Sequence, residues 1–472
     1  MSGSLNDWTS GLNPEQIEAV KHNYGPLLIL AGAGSGKTTV LVSRTGRLIA
    51  EKVAHPDNIV VLTFTNKAAR ELKHRVAQKL GSVGEKIWAG TFHSFGLNIL
   101  RKHHKKINLP RSFGIVDASD TRSIIKQLMK DHVHFDKDNF DPDKVLQKIN
   151  DLRTGKTFAI DDEYSDMAQM LKPKYLRRLD SLGVVDFEGL LLKPLQLFQR
   201  FPEVLEEYQN KIHQLMVDEF QDTNNVQMRF VKHLTGERKN IAVVGDDDQS
   251  IYGWRGAEVQ NILGFPRQYA GCKVVRLVRN YRSQQYILDA ANALIANNKD
   301  RHDKKLIASG YTDPGEKPEL FVYSSEDEEV EEVLQQFHHF QRKGFKHKDM
   351  AVLYRSNSQG ALVESVLRRE QIPYKITGGG TFFEKKEVKD VLAYIRCAVW
   401  PNEVSFRRIL NAPSRGVGDK TIETIHGICL EKNLPFYKVA KHWSKFDLAP
   451  RVGTALDRTF QQVESLPHRI LD

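Results

Sequence analysis

Five short runs of β-branched and apolar residues constrain this chain more than any other feature: Leu27–Leu30, Ile59–Leu62, Leu215–Val217, Ile241–Val244 and Val274–Leu277. Turn residues or helix starts follow nearly all of them. Runs that are apolar throughout, rather than alternating with polar residues, need cover on both faces, which is the pattern of buried parallel strands. The expectation is an α/β architecture with helices on both sides of a parallel sheet. Ligands in such a sheet bind at the carboxyl ends of the strands.

Between about Leu109 and Asn210 the strand signals disappear. Asp120–Leu128 and Asp143–Ile149 have helical period, so a helical insertion is expected between two halves of one sheet domain. The α/β pattern resumes with strands expected at Leu320–Tyr323 and Met350–Tyr354, each followed by a helix. After Gly378–Gly380 the strands stop again, and Glu387 to Leu466 reads as helical. The expected divisions are 1–108 and 211–278 for one lobe, 109–210 for the insertion, 279–380 for a second lobe and 381–472 for a helical domain. The length of 472 residues fits about three domains at about 150 residues each.

Composition excludes several classes. Three cysteines rule out a disulfide scaffold and fit a reducing, cytoplasmic setting. The polar start, with Asp7, Trp8 and Glu15, is not a signal peptide, and Leu27–Ala31 is too short to cross a bilayer, so no membrane partner is expected. The formal charge of +10 permits a nucleic-acid partner without showing one. Arg101–Lys106 reads equally as cations at a helix C-terminus or as a DNA contact, whereas Glu326–Glu332 reads as the solvated opening of a helix.

The residues that carry chemistry begin directly after the first strand, with Ala31-Gly-Ala-Gly-Ser-Gly-Lys-Thr38 opening a helix. Glycines let backbone N–H groups curl around phosphate oxygens, and a helix N-terminus favours negative charge. Ala33, Gly34, Ser35, Gly36, Lys37, Thr38 and Thr39 are the expected phosphate-binding set. Within it Lys37 would reach the β- and γ-phosphates and Thr38 would bind Mg²⁺. Ala31 stands where the strict pattern has Gly, and an ordinary glycine-rich turn is the competing reading. Asp218 and Glu219 end the strand Leu215–Val217, where Asp218 would hold Mg²⁺ and Glu219 would orient and deprotonate water. Asp-Glu after a strand is common by itself; paired with a phosphate loop it points to hydrolysis of a nucleoside triphosphate such as ATP.

Two further segments follow strands: Thr63-Phe-Thr-Asn-Lys-Ala-Ala-Arg-Glu-Leu72 and Gly245-Asp-Asp-Asp-Gln-Ser-Ile-Tyr-Gly-Trp-Arg-Gly-Ala257. They put Phe64, Asn66, Tyr252, Trp254 and Arg255 at strand ends, where aromatic faces stack on bases and cations track phosphates. Trp254 by itself reads first as a core residue, but Tyr252, Gly253 and Arg255 move it towards the surface.

At this point the chain resembles the UvrD/Rep/PcrA-type superfamily 1 DNA helicases over nearly its whole length. The motifs run in family order: Leu12–Gln16, the phosphate loop, Thr63–Leu72, Thr91-Phe-His-Ser-Phe95, Val217-Asp-Glu-Phe-Gln-Asp-Thr-Asn224, Val244–Ala257 and Arg279-Asn-Tyr-Arg-Ser283. Asn297-Asn298 before Lys304-Lys305, and Ile372-Pro-Tyr374, match Rep-like members. The resemblance implies a P-loop RecA-like motor lobe with a helical insertion, part of a second RecA-like lobe and part of a helical accessory domain. It implies that Gln16 reads the adenine edge and Tyr281 stacks on its face. Arg282 would be an arginine finger, and Gln249 would sense the γ-phosphate and couple it to DNA. Phe64, His93, Tyr252, Trp254 and Arg255 would line a single-strand track. The implied activity is ATP-driven 3′-to-5′ movement on single-stranded DNA, acting at single-strand/duplex junctions, with accessory replication or repair proteins as partners.

Two departures qualify that implication. The family's Arg after the phosphate-loop Thr is Thr39 here, which leaves Tyr281 and Gln16 for the adenine. A downstream Thr-x-His-x-x-Lys-Gly stretch and a second γ-phosphate arginine do not appear before Asp472, so a chain truncated inside the accessory domain is expected. Asn411–Thr421 resembles that domain's glycine-containing hairpin. The alternative to a helicase is therefore an ATP- and single-strand-binding protein that does not unwind. A P-loop kinase or transporter ATPase is disfavoured by Thr63–Leu72 and Val244–Ala257. His103-His104 and His338-His339 are adjacent pairs that point about 100° apart on a helix and make no ready chelate.

Overall fold

Successive residues of the strand β1 (Leu27–Ala31) enter two different hydrophobic cores. Leu28 and Leu30 face one core, and Leu27, Ile29 and Ala31 face the other. The same alternation holds for β2 (Ile59–Thr63), β6 (Gln214–Val217) and β7 (Ile241–Gly245), because side chains on a strand alternate between faces. A strand that is apolar on both faces must be interior, and the computed structural model shows that arrangement. It describes residues 8–111, 113–132, 140–155, 162–377, 385–399, 403–432, 434 and 436–470. With β3 (Trp88–Thr91) and β8 (Lys273–Leu277) the strands form a six-stranded parallel sheet in the order β3-β2-β6-β7-β1-β8. Leu28 pairs with Val243 on one side and Val274 on the other, so β1 is interior and its carboxyl end lies among those of its neighbours.

The helices Pro14–Lys21, Lys37–Ala50 and Asn66–Leu80 cover one face, and Phe92–Lys102, Gly189–Arg200 and Asn225–Thr235 cover the other. Burying one Leu, Val or Phe side chain in such a layer contributes roughly 1.5–3 kcal/mol. Arg44 and Arg47 are buried in the first face without breaking it. Arg44 donates to the carbonyls of Ala19 and His22, and Arg47 to that of Val20, so both hold the C-terminus of the helix Pro14–Lys21.

The insertion is helical as expected, with Ala118–His132, Pro142–Thr154 and Glu163–Leu182, but it also holds a two-residue parallel pair, β4 (Gly114–Ile115) with β5 (Val184–Val185). Pairs this short carry no periodicity for a sequence reading to detect. The last helices of the expected insertion, Gly189–Arg200 and Pro202–Lys211, pack instead into the core beneath the sheet through Leu195, Phe198 and Tyr208. A buried ion pair joins the insertion's helices to β5: Arg153 Nη2 donates to Asp186 Oδ1 at 2.9 Å, and the Tyr175 hydroxyl donates to Asp186 Oδ2 at 2.8 Å. Burial pushes the Asp186 carboxyl up, but bonds from Arg153 and Tyr175 outweigh this and hold it below the usual range.

By its internal contacts the chain divides into two compact units between Lys317 and Pro318. Residues 279–317 belong to the first unit, and β9 (Arg279–Asn280) pairs there with β10 (Ile307–Ala308). In the second unit the helices Glu326–Arg342 and Asn357–Arg369 pack through Val330, Leu334, Val366 and Leu367. The expected strands Leu320–Tyr323 and Met350–Tyr354 join no ladder among the described residues. Leu320 is 89% exposed and Leu353 93%. Apolar β-branched content makes a segment able to pair, but pairing needs a neighbouring strand, and no strand among the described residues is laddered to these segments. The turn expected at Gly378–Gly380 lies outside the described residues. The helices Lys386–Val399, Glu403–Ile409, Phe436–Lys441 and Pro450–Ile470 enclose Cys397, Phe406, Phe436 and Leu456.

Candidate functional site

The loop after β1 turns sharply at Gly34 (φ 66°) and Gly36 (φ 87°), backbone conformations that side chains other than glycine resist. Gly36 caps the helix Lys37–Ala50 with no side-chain acceptor, so that helix's first N–H groups have no side-chain cap. Ser35 is buried and folds back on the Gly32 carbonyl at 2.7 Å, while Ala33 and Thr38 are half-buried and Thr39 is exposed. Amides without a side-chain cap at a helix N-terminus, with a lysine on its first turn, suit a polyphosphate.

Lys37 Nζ donates to Glu219 Oε2 at 2.9 Å. Glu219 has φ 50°, a left-handed backbone uncommon for a non-glycine residue, and it turns the chain immediately beyond β6. Asp218 is buried, and burial followed by the Glu219 charge pushes its carboxyl up to about 6. Burial also raises Glu219, but the Lys37 charge and the bonds from Gln221 and Lys37 outweigh it and leave Glu219 below its usual range. Burial, then Glu219, likewise raises Asp222 to about 6. A buried carboxylate beside a second carboxylate favours a nearby cation, which is the donor chemistry a divalent metal needs.

Gln16 is buried, caps its own helix with Asn13, and donates from Nε2 to the Ser35 carbonyl at 2.9 Å. Asn13 Nδ2 donates to the Tyr281 hydroxyl at 2.9 Å, and Tyr281 N donates to the Gly34 carbonyl at 3.0 Å. Gln16, Tyr281 and the phosphate loop are thus in one place, and Arg282 lies at the loop too: a Cβ on Gly34 would stand 2.7 Å from that of Arg282.

Beyond β2 and β7, Phe64 and Tyr252 stack with ring centroids 5.5 Å apart. Arg255 lies over Tyr252 at 5.2 Å and over Trp254 at 4.7 Å. Trp254 is 69% exposed and Phe64 39%, so neither is a core residue. Asn66 is exposed at the start of its helix. His93, whose pKa burial lowers, is a neutral ring set edge-on to the exposed Phe187 at 5.5 Å. Lys102 and Lys106 pair with Glu207 and Glu203 on the helix Pro202–Lys211, so part of the basic run is engaged structurally.

The turn after β7 joins these regions. Gln221 Nε2 donates to Glu219 Oε2 at 3.0 Å, and Gln221 Oε1 accepts from Asp246 N at 3.0 Å. Gln249 Nε2 donates to Asp246 Oδ2 at 2.6 Å. The carboxylates of Asp246, Asp247 and Asp248 converge, and the ammonium of Lys304 fills the space among them.

Comparison with known proteins places the chain in a family. The family model for the UvrD/REP helicase N-terminal domain matches residues 12–270, more than half of the chain. The chain belongs to the UvrD/REP helicase family. A second family model, for the UvrD-like helicase C-terminal domain, matches residues 275–439. A protein of Staphylococcus aureus (strain Mu50 / ATCC 700699) named ATP-dependent DNA helicase PcrA is 40% identical over 469 residues, which are 98% of this chain and 64% of that protein. A PcrA of Staphylococcus epidermidis (strain ATCC 12228 / FDA PCI 1200) is 39% identical over the same shares. The chain therefore spans somewhat under two-thirds of the length of these UvrD/REP relatives. No helix among the described residues is long and apolar enough to cross a membrane.

Several residues of this UvrD/REP site were not singled out from sequence. Gln221 lies inside a quoted motif, and its spacing of two from Glu219 was the available signal. Asn280 is buried, donates to the Ala33 carbonyl at 2.5 Å and accepts from Arg282 N and Ser283 N, pinning the Tyr281–Arg282 segment to the loop. Phe187 and the ion pairs of Arg301 and Lys304 had no local pattern to reveal them.

Proposed function

We propose that this chain is the nucleotide-hydrolysing, strand-gripping part of an ATP-dependent DNA helicase that moves 3′ to 5′ on single-stranded DNA. The observation that carries the reading is a shared sheet edge. The Lys37–Glu219 contact and the exposed cluster of Phe64, Tyr252, Trp254 and Arg255 both follow the carboxyl ends of parallel strands. The names of the UvrD/REP relatives support ATP as nucleotide and DNA as polymer.

In this reading the loop amides and Lys37 hold the triphosphate, and Gln16 and Tyr281 hold the adenine. Glu219 accepts a proton from the attacking water, whose oxygen bonds to the γ-phosphorus as the bond to the β-phosphate oxygen breaks, giving ADP and inorganic phosphate. Thr38 and Asp218 would hold Mg²⁺, which neutralises charge on the phosphates. Arg282 neutralises the γ-phosphate, and Gln249 reports its loss to the aromatic turn. Phe64, Asn66, His93, Phe187, Tyr252, Trp254 and Arg255 grip successive nucleotides by stacking and charge, without sequence preference. Single-strand/duplex junctions are the natural substrate of such a motor, with accessory replication or repair proteins as partners.

The test is phosphate release with and without a thymidine oligonucleotide, joined to displacement of streptavidin from biotin at either end of the strand. Strand-stimulated hydrolysis with faster release from the 5′ end is expected. Equal release from both ends would overturn the direction, and hydrolysis indifferent to the strand would overturn the coupling.

A further inference from the structure

We propose that the segment 301–306, with Lys304 at its centre, is the element that couples the nucleotide site to the single-strand surface, and that Lys304 acts as a positioning residue through Asp246. The proposal rests on the function just given and adds residues that it leaves without a role.

Lys304 is 1% exposed in its side chain, and its ammonium meets Asp246 at 3.0 Å, Asp247 at 2.6 Å and Asp248 at 3.0 Å. Arg301 adds a second cation with two bonds to Asp248, at 2.7 and 2.8 Å, and the backbone N–H of His302 donates to Asp247 at 2.7 Å. One short segment therefore satisfies all three carboxylates. Such a cluster is costly to bury without its cations, because unpaired carboxylates in a dry site repel one another.

The Asp246 carboxylate is shared between two elements. Oδ1 faces Lys304, while Oδ2 accepts from Gln249 Nε2 at 2.6 Å. The Asp246 N–H in turn reaches Gln221, which donates to Glu219. A continuous path thus runs from Lys37 through Glu219, Gln221 and Asp246 to Gln249, just before Tyr252, Trp254 and Arg255, with Lys304 fixing its middle. The same segment also touches the phosphate loop. A Cβ on Gly32 would meet Leu306 Cδ2 at 2.2 Å, so Leu306 lies directly against the loop backbone. A segment in contact with both ends transmits a shift of one to the other only while its central charge contacts hold.

The experiment uses the full chain and a variant that removes the latch without leaving Asp247 charged, Lys304→Met with Asp247→Asn. Hydrogen exchange at residues 249–256 reads the latch directly, and is expected to quicken at least about tenfold, one factor of ten per about 1.4 kcal/mol of lost protection, while β1 and β7 keep their rates. Coupling is read as the ratio of thymidine-oligonucleotide affinities with and without a non-hydrolysable ATP analogue. The parent ratio is expected to depart from one by about fivefold or more, and that of the variant to fall within about twofold of one, with the separate affinity for the analogue retained. Lys304→Arg, which keeps the charge, is expected to restore part of the coupling. Unchanged exchange in a folded variant overturns the latch, whatever the activity. A parent that binds neither ligand overturns the proposed function but leaves the exchange result to judge the latch. Should the double variant not fold, Arg301→Gln, at the more exposed rim, is read the same way, and parental exchange with parental coupling overturns the proposal.

Discussion

Lys37 donates its ammonium to Glu219 at 2.9 Å, although 182 residues separate them in sequence. The contact sets two functions in competition. In the proposed reading a triphosphate that claims Lys37 would release Glu219 from its ion-pair partner, so the base would become available only with the nucleotide in place.

The two residues should therefore separate binding from chemistry. Lys37→Ala is expected to weaken binding of a fluorescent ATP analogue by about 10- to 100-fold, the worth of one or two hydrogen bonds to a charged group. Glu219→Gln should bind the analogue as the parent does and lose about 10²- to 10⁴-fold in phosphate release, the usual contribution of a general base. Parental hydrolysis by Glu219→Gln would remove it from the mechanism.

The surface position of Trp254 makes its variant interpretable. Trp254→Ala and Phe64→Ala should each stay folded and lose roughly 1–3 kcal/mol of single-strand affinity with little dependence on sequence. Arg255→Ala should instead reduce the slope of affinity against salt by about one. Fluorescence anisotropy over a salt series distinguishes the two behaviours, and an unfolded Trp254→Ala protein would return that residue to the core.

The helix that carries Gln16 is held from below by Arg44, whose guanidinium is fully buried with its pKa pushed down by burial, and then by Arg47, to about 9. Replacing it by Met leaves the Ala19 and His22 carbonyls without this donor, at a cost of about 1–3 kcal/mol each if left unsatisfied. Arg44→Met should lower the melting temperature and narrow the preference for ATP over GTP, because Gln16 loses its fixed height above Ser35. A variant that melts early but keeps the parental preference would confine Arg44 to stability.

Asp186 gives a pH dependence with a definite sign. Its folded pKa lies below the unfolded value of about 3.9, so the unfolded chain binds the proton first. Its contribution is fully present above that value and is lost as the pH falls through the folded pKa. Asp186→Asn should cost about 3–5 kcal/mol near pH 7, the range for breaking a buried ion pair. The gap between parent and variant in urea unfolding should shrink below about pH 4. An equal gap at pH 3 and pH 7 would assign the loss to packing.

Local pattern carried much of the fold and of the site. Leu27–Leu30 before a glycine loop, and Leu215–Val217 before Asp218-Glu219, are legible because a buried strand, a tight turn and a helix start each demand particular residues at fixed spacing. Leu320–Tyr323 and Met350–Tyr354 satisfy the same local demands and form no ladder among the described residues, since strand pairing is a property of two segments. The attachment of 279–317 to the first unit has a similar origin. Asn280, Lys304 and Leu306 tie 279–317 to the first unit by single side chains, and single contacts have no period.

The sequence by itself determined five strands of the main sheet, the phosphate loop, the acid pair and the aromatic segments, because each depends on residues adjacent along the chain. Only the tertiary structure decided that Lys37 meets Glu219, that Gln16 touches the loop beside Tyr281, and that three consecutive aspartates close around Lys304. The physical reason lies in the parallel sheet. It brings the carboxyl ends of distant strands to one edge, where charges far apart in sequence come within a few ångströms. At that range, with water largely excluded, Coulomb energies rise enough to select a partner.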